Sequence, residues 1–290
     1  IAMDRATIEQ AIFQHSVLCQ TFLPTRNPGD DVREWEQKQG NVSLLVQAGK
    51  AINQEGHFEN VGLPYGTKAR LILAHINSQA IKTQSKIIDV EDSMSAFIKR
   101  IGLNLDGHSI REVKEQLRRL STARLSLGYS DGVQGVQYEL QIVSAFDLWF
   151  PKDERQKVLW PSRVQLSEDY FQSLLNHAIP LDERALAALA HNPMALDIYA
   201  WLAQRLHRIP RGDFQFVSWM NLWEQFGQNY ARIRDFRRDF KKTLQSVIKQ
   251  YPFAKLEEVQ DKGLNLYHSP PPIEKKTIIS IPSFTQKPTT

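Results

Sequence analysis

The sequence predicts an α+β fold, mainly helical, with two tandem winged-helix units, β-hairpin wings, an N-terminal arm and a disordered C-terminal tail. Two observations lead to it. Three helical patterns are followed by two segments of alternating apolar and polar residues, and this order returns in the second half of the chain. With 290 residues, the chain is also long enough for two domains of ordinary size.

Residues 1–60 are the predicted N-terminal arm. Apolar residues between positions 4 and 23 have the spacing of a short helix, and the turn-forming cluster at 27–30 interrupts regular structure. Residues 41–48 have the composition of a strand. Residues 62–66 then lead into the first helix, for which Thr67 is a plausible N-cap.

The first predicted winged-helix domain covers residues 61–150. Its strands are joined by the turn residues Ser130, Asp131 and Gly132. Three helices followed by a two-stranded hairpin is the element order of a winged helix, in which the hairpin can flank DNA. The predicted helices are 67–79, 90–101 and 109–124, and the predicted strands are 125–129 and 136–143.

Residues 151–190 form a predicted connector with a strand-like segment and a helix that begins at Ser167. The second predicted winged-helix domain covers residues 191–268, and residues 269–290 are rich in proline and threonine, which is typical of a disordered tail. The second domain has predicted helices at 193–206, 217–227 and 230–249 and strands at 254–259 and 264–267.

The third helix of each unit carries the candidate DNA-binding residues on the face opposite its apolar stripe. Arg and Lys neutralise phosphates, Arg can pair with guanine at two points, and Gln245 could recognise adenine in a similar way. The alternative interpretation is that these faces are ordinary solvated helix surfaces, with ion pairs such as Asp235 with Arg238. The candidates are Arg111, Lys114, Arg118 and Arg119 in the first unit, and Arg234, Arg238, Lys241, Lys242 and Gln245 in the second.

Composition narrows the class of protein. The formal net charge of +4 and pI near 9.0 permit an anionic partner without requiring one. Cys19 is the only cysteine, so an intramolecular disulfide is excluded and a cytoplasmic location is the default expectation. No apolar run approaches the roughly 20 residues of a membrane span, and we expect no membrane association.

Three chemical motifs are absent, so we expect no enzymatic activity, no cofactor and no metal. The glycines at 62 and 66 have the wrong spacing for a phosphate-binding loop. The eight histidines are scattered and include no His-x-His pair that could support a nicking tyrosine. Trp219 and Trp223 could be a stacking platform for single strands, but core packing of a short helix is the favoured interpretation.

Several segments resemble the family of plasmid-encoded RepA replication initiators. The similarity extends from about Phe22 to Ser269. The segments that carry it most clearly are residues 62–73 (GLPYGTKARLIL), 117–127 (LRRLSTARLSL) and 218–227 (SWMNLWEQFG), together with 22–24, 44–49, 195–202 and 251–252.

The resemblance implies a protein that binds iterons, the repeated sites of a plasmid origin, as double-stranded DNA. It further implies origin opening, recruitment of the host proteins DnaA and DnaB helicase, and a possible homodimer that represses its own promoter. Two alternatives stay open. The chain could be a winged-helix transcriptional repressor, or one unit could serve dimer or helicase contacts while only the other binds DNA.

Overall fold

The computed structural model describes residues 5–53, 55–103, 106–130, 135–146 and 163–274. Within them, no helix is both long enough and apolar enough to cross a membrane. Three 3₁₀ turns (Ile8–Gln10, Val17–Cys19 and Leu206–Arg208) accompany the helices and strands of this part of the chain.

The first half begins with β1 (Ala11–His15), β2 (Glu34–Gln39), β3 (Val42–Gln47), β4 (Lys50–Ile52) and β5 (Phe58–Asn60). It continues with α1 (Gly66–Thr83), β6 (Ile87–Asp89), α2 (Glu91–Arg100), α3 (Gly107–Thr122), β7 (Arg124–Ser130), β8 (Gly135–Gln141), β9 (Val143–Phe146) and β10 (Arg163–Leu166). The second half contains α4 (Glu168–His177), β11 (Ala178–Asp182), α5 (Glu183–Leu189), α6 (Pro193–Arg205), β12 (Phe214–Ser218), α7 (Trp219–Phe226), α8 (Ile233–Gln250), β13 (Leu256–Val259) and β14 (Gly263–Tyr267).

The second helical unit has its predicted elements in the predicted order. Side-chain caps define two of its helices, because Asn192 caps α6 and Ser218 caps α7 by accepting hydrogen bonds from the backbone of their first turns. The sheet order is β12-β14-β13. The sequence analysis missed β12, whose residues it assigned partly to the start of a helix, and Ser218 is the residue where this strand ends.

The first unit departs from the prediction in its hairpin. The strands β7 and β8 do pair, but β7 also pairs with β3, so the hairpin belongs to a four-stranded sheet of order β2-β3-β7-β8. A separate sheet of order β6-β10-β9 has the strand order of the second unit. The predicted hairpin is therefore not the counterpart of β13-β14, because the N-terminal strands recruit it through backbone hydrogen bonds.

The helix predicted near the N-terminus is wrong. Residues Ala11–His15 form β1, which pairs antiparallel with β11 and packs on α1. The few apolar residues at helical spacing in this segment do not nucleate a stable helix alone, and the pairing with β11 decides the conformation. The arm is thus joined to the segment that the sequence analysis took for a connector.

The first residues of the predicted tail, 269–274, make contacts with earlier parts of the chain. Arg5 Nε donates to Pro271 O at 3.1 Å, Ala6 forms a parallel bridge with Ile273, and Tyr251 Oη donates to Pro270 O at 2.7 Å. Residues 271–274 therefore pack against the start of the chain, whereas Pro270 contacts Tyr251 at the end of α8. The rest of the predicted disordered tail, 275–290, lies outside the described residues.

One buried ion pair connects the two halves of the chain. Arg70 of α1 and Asp197 of α6 are 7% and 6% exposed, and the guanidinium donates to both carboxylate oxygens at 2.7 and 2.8 Å. The same guanidinium donates to the carbonyls of Leu23, Pro24 and Gly66 at 2.6, 3.1 and 2.8 Å. Apolar side chains from both halves form one continuous core around this pair.

We expect Asp197→Asn to lower the free energy of unfolding by about 3–5 kcal/mol, because it leaves a buried guanidinium without its counter-charge. The control is Glu168→Gln, which removes the partner of Lys86 in an exposed pair and should cost about 1 kcal/mol or less. Urea unfolding of both variants measures the difference. Equal losses would show that the Arg70 pair adds nothing beyond a surface ion pair.

Two buried histidines make the stability depend on pH. Burial lowers the pKa of His15 to about 4, with a smaller effect from His177, and it lowers the pKa of His75 to about 3. His15 Nε2 lies 3.0 Å from Ser173 Oγ, and the ring of His75 stacks on that of Phe97 at 4.6 Å. Both imidazoles are therefore neutral in the folded protein.

The unfolded chain takes up protons on these histidines below pH 6.5, while the folded chain does not until about pH 4. We therefore expect the free energy of unfolding to fall as pH decreases through this window, by about 2 kcal/mol per histidine near pH 5. Thermal unfolding at several pH values measures the slope, which should be shallower in His15→Gln/His75→Phe. An unchanged slope in this variant would assign the pH dependence to other groups.

Candidate nucleic-acid interface

The helix α8 presents the most exposed basic surface among the predicted site residues. Phe236, Phe240, Leu244 and Val247 form its buried stripe against α6 and α7. Four of the five predicted residues of this helix are exposed on the opposite face, namely Arg234, Arg238, Lys242 and Gln245. The side chains of Arg234 and Arg238 are 82% and 70% exposed.

The two predicted site arginines of α8, Arg234 and Arg238, make only weak surface ion pairs. Arg238 lies 2.9 Å from Asp239 and 3.4 Å from Asp235, and Arg234 lies 3.9 Å from Asp235. The hydrogen bond from Arg238 lowers the pKa of Asp239, so that carboxylate stays ionised. Because exposed pairs contribute about 1 kcal/mol at most, a phosphate can replace these carboxylates as the partner of either arginine.

Lys241 differs from its neighbours because it faces the β13-β14 hairpin. Its Nζ lies 2.5 Å from Glu258 and 5.4 Å from the ring centroid of Trp219. Arg237 makes a similar pair of contacts, over Trp219 at 5.1 Å and with Asp261 in the hairpin turn. These two cations hold the hairpin against α8, and we assign Lys241 a positioning role more than a contact role.

The corresponding face of α3 is largely neutralised by internal contacts. Arg111 is exposed, but Lys114 is partly buried, which lowers its pKa. Arg118 pairs with Glu59 of β5 and lies 3.9 Å from Glu115. The face therefore carries less free positive charge than its sequence suggested.

Arg119 does not lie on the outward face of α3, where the sequence analysis placed it. Its side chain is 7% exposed and pairs with Glu115 at 2.7 Å and Asp30 at 2.8 Å. A Cβ atom at Gly62 would lie 2.3 Å from Arg119 Nη1, so a larger residue there would displace this guanidinium. The helical wheel could not reveal this burial, because the loop around Gly62 covers that side of α3.

The segment around Gly66 starts a helix rather than binding a nucleotide. Gly66 has a φ of +75°, which favours glycine, and its amide donates to Pro24 O at 2.9 Å. The N-cap is Tyr65 and not Thr67, which lies one residue inside α1. In the described ranges, no group of three or more His, Cys, Asp or Glu side chains is placed to hold a metal ion.

The two tryptophans of α7 belong to the core, as the sequence analysis favoured. Trp219 is 3% exposed and meets Phe240 edge to face at a centroid distance of 5.8 Å. Trp223 meets Phe236 in the same way at 5.6 Å. Both rings therefore pack edge to face against phenylalanines of α8, as side chains of the core do.

The sequence analysis missed a polar groove beside α3. Its lining includes Lys50 and Phe58 from the β4-β5 hairpin and Arg124 from the start of β7. The sequence offers little sign of this groove. Arg124 lies 66 positions after Phe58 and 74 positions after Lys50, and the segments that contain them share no motif. Only the packing of β4-β5 against α3 brings them together.

Two solved structures have a fold similar to that of the chain. A crystal structure of domains 2 and 3 of RctB, in selenomethionine form, matches with a TM-score of 0.56 and 9% identity, over 87% of this chain and 98% of that chain. A second RctB structure of domains 2 and 3 matches with a TM-score of 0.50 and 9% identity, over 86% and 94%. At this identity the likeness concerns the fold alone. None of the curated proteins matches the chain.

A family model gives the more specific result. The model described as "Plasmid encoded RepA protein" matches residues 63–221, which is more than half of the chain. The match covers α1 through the first turn of α7, including the buried Arg70 and Asp197. It agrees with the resemblance found in the sequence, and the chain belongs to the family of plasmid-encoded RepA proteins.

Proposed function

We propose that the protein is a plasmid replication initiator that binds iteron repeats of the origin as sequence-specific double-stranded DNA. The observation that carries the proposal is the exposed basic face of α8, held on a rigid core and flanked by the β13-β14 hairpin. Membership of the RepA family supports the role in replication. We propose no catalytic step.

The proposed binding mode places α8 in the major groove. Arg234, Arg238 and Lys242 would contact phosphates or guanine edges, and Gln245 could pair with adenine. The helix is suited to this because its buried aromatic stripe fixes its orientation while the opposite face stays open to solvent. The order α6, β12, α7, α8, β13, β14 supports a winged-helix unit, which docks on DNA through its third helix.

For the first unit, a second candidate function has support of its own. Arg118 and Arg119 are held by Glu59, Glu115 and Asp30, so α3 offers mainly Arg111 to an anion. The order β6-β10-β9 supports a second winged-helix unit here as well. We propose that this unit contributes less to duplex binding than the second unit and serves a homodimer or helicase contact.

Recruitment of DnaA and DnaB and opening of the origin are part of the proposal on the strength of the family resemblance. A transcriptional repressor would bind duplex DNA through the same helix. The two are separated by asking whether a plasmid that carries only this gene and its origin replicates.

We expect Arg234→Ala/Arg238→Ala to weaken binding to origin DNA by about tenfold or more. The salt dependence of binding should also decrease, because fewer counterions are released when the protein neutralises fewer phosphates. Gel-shift titrations at several salt concentrations, with DNA flanking the gene, measure both effects. The matched control is Lys99→Ala, an exposed cation on α2. Unchanged affinity in the double variant would rule out α8 as the duplex-binding helix.

The footprint of a monomer distinguishes the two arrangements of the units. If only the second unit binds, nuclease protection should cover about one helical turn, roughly 10 bp. Tandem binding through α3 and α8 should protect about two turns. From the internal pairing of Arg118 and Arg119 we expect the shorter footprint, and a two-turn footprint that shrinks with Arg111→Ala would contradict this expectation.

A further inference from the structure

The β4-β5 hairpin has an unusual distribution of polar and apolar side chains. In the antiparallel register, Ile52 lies opposite Phe58 and Lys50 lies opposite Asn60, so these four side chains share one face. Phe58 is 73% exposed and Ile52 is 36% exposed, whereas Ala51 on the other face is buried. The large apolar residues therefore face solvent, while the other face carries the buried Ala51 and Glu59, which pairs with Arg118.

The hairpin is firmly attached to the rest of the molecule. Glu59 pairs with Arg118 of α3, and a Cβ atom at Gly49 would lie 2.0 Å from Thr122 O, so the base of the hairpin touches the end of that helix. Arg33 donates to the carbonyls of Ala48 and Gly49 at 2.8 Å and of Val61 at 2.9 Å. These contacts hold the hairpin in place, so ligand binding has to order little additional backbone and loses little conformational entropy.

The outer face of the hairpin forms one wall of a groove of about 660 Å³. Arg124 and Gln47 also line the groove, and they are cross-strand neighbours on β7 and β3. Gln47 Nε2 donates to the carboxylate of Glu34 at 2.9 Å, which keeps that acidic group beside Gln47. The lining thus combines exposed cations, amides and one aromatic ring, namely Lys50, Arg124, Gln47, Asn60 and Phe58.

This combination fits single-stranded DNA. Cations along a groove follow a phosphodiester backbone, and an exposed aromatic ring stacks on an unpaired base whatever its identity. Duplex DNA fits less well, because its bases are already stacked and leave no face for Phe58. We propose that the groove between the β4-β5 hairpin and Arg124 binds a segment of single-stranded DNA, with one base stacked on Phe58. This site consists only of residues of the groove and does not require duplex binding by α8.

Fluorescence anisotropy with a labelled oligothymidine of about 12 nucleotides tests the proposal on the full chain. We expect Phe58→Ala to weaken binding by about fivefold or more, and Lys50→Ala and Arg124→Ala to reduce its salt dependence. The matched control is Phe214→Ala, which removes another exposed phenylalanine, 53% exposed, on the β12-β14-β13 sheet. Thermal unfolding checks that each variant keeps its fold.

Three results would overturn the proposal. They are a wild-type protein that does not bind the oligothymidine, equal affinities for wild type and Phe58→Ala, and equal losses in Phe58→Ala and Phe214→Ala. A Phe58→Ala protein that loses only duplex affinity would assign the ring to duplex DNA instead. Arg234→Ala/Arg238→Ala separates this test from the proposed function, because it should lose duplex affinity and keep the oligothymidine affinity.

Discussion

The ion pair between Arg70 and Asp197 is the constraint on which much of the structure depends. A buried guanidinium must have its charge and its donors satisfied, and Arg70 does this with one carboxylate and three backbone carbonyls. These partners come from α6, from the segment before β2 and from the start of α1. The hydrogen bonds and the ion pair of this one guanidinium therefore join the N-terminal arm to both helical units.

Ion pairing also makes the exposure of the arginines differ between the two third helices. In α3, Arg119 forms ion pairs with Glu115 and Asp30 beside the loop of Gly62. Arg118 forms an ion pair with Glu59 of the β4-β5 hairpin. In α8, two cations hold the adjacent hairpin while the outer arginines pair only with carboxylates at the surface. Similar amphipathic patterns in the sequence thus yield one helix whose arginines are largely held by internal contacts and one whose outer arginines are exposed.

The same contacts that neutralise α3 create the groove beside it. Glu59 turns towards Arg118, and the alternation of an antiparallel pair then obliges Phe58 and Asn60 to face outward. A side chain that looks like a candidate DNA contact in the sequence becomes the anchor of a hairpin. The exposure of the Phe58 ring is a direct consequence of that anchoring. The proposed function of the groove therefore depends on the hairpin and not on the exposed face of α3.

The sequence by itself determined the family, the order of helices in both units and the basic face of α8, because these depend on local periodicity, capping and short motifs. Ser167 shows how local this information is, since it caps α4 through that helix's own first turn. Only the tertiary structure decided that residues 11–15 form a strand, that β7-β8 joins the β2-β3 sheet and that Arg119 is buried. Strand pairing and the burial of a charge depend on partners that are distant in the chain, such as β11 and Asp30. Neither helical periodicity nor composition indicates where these partners lie in the folded protein.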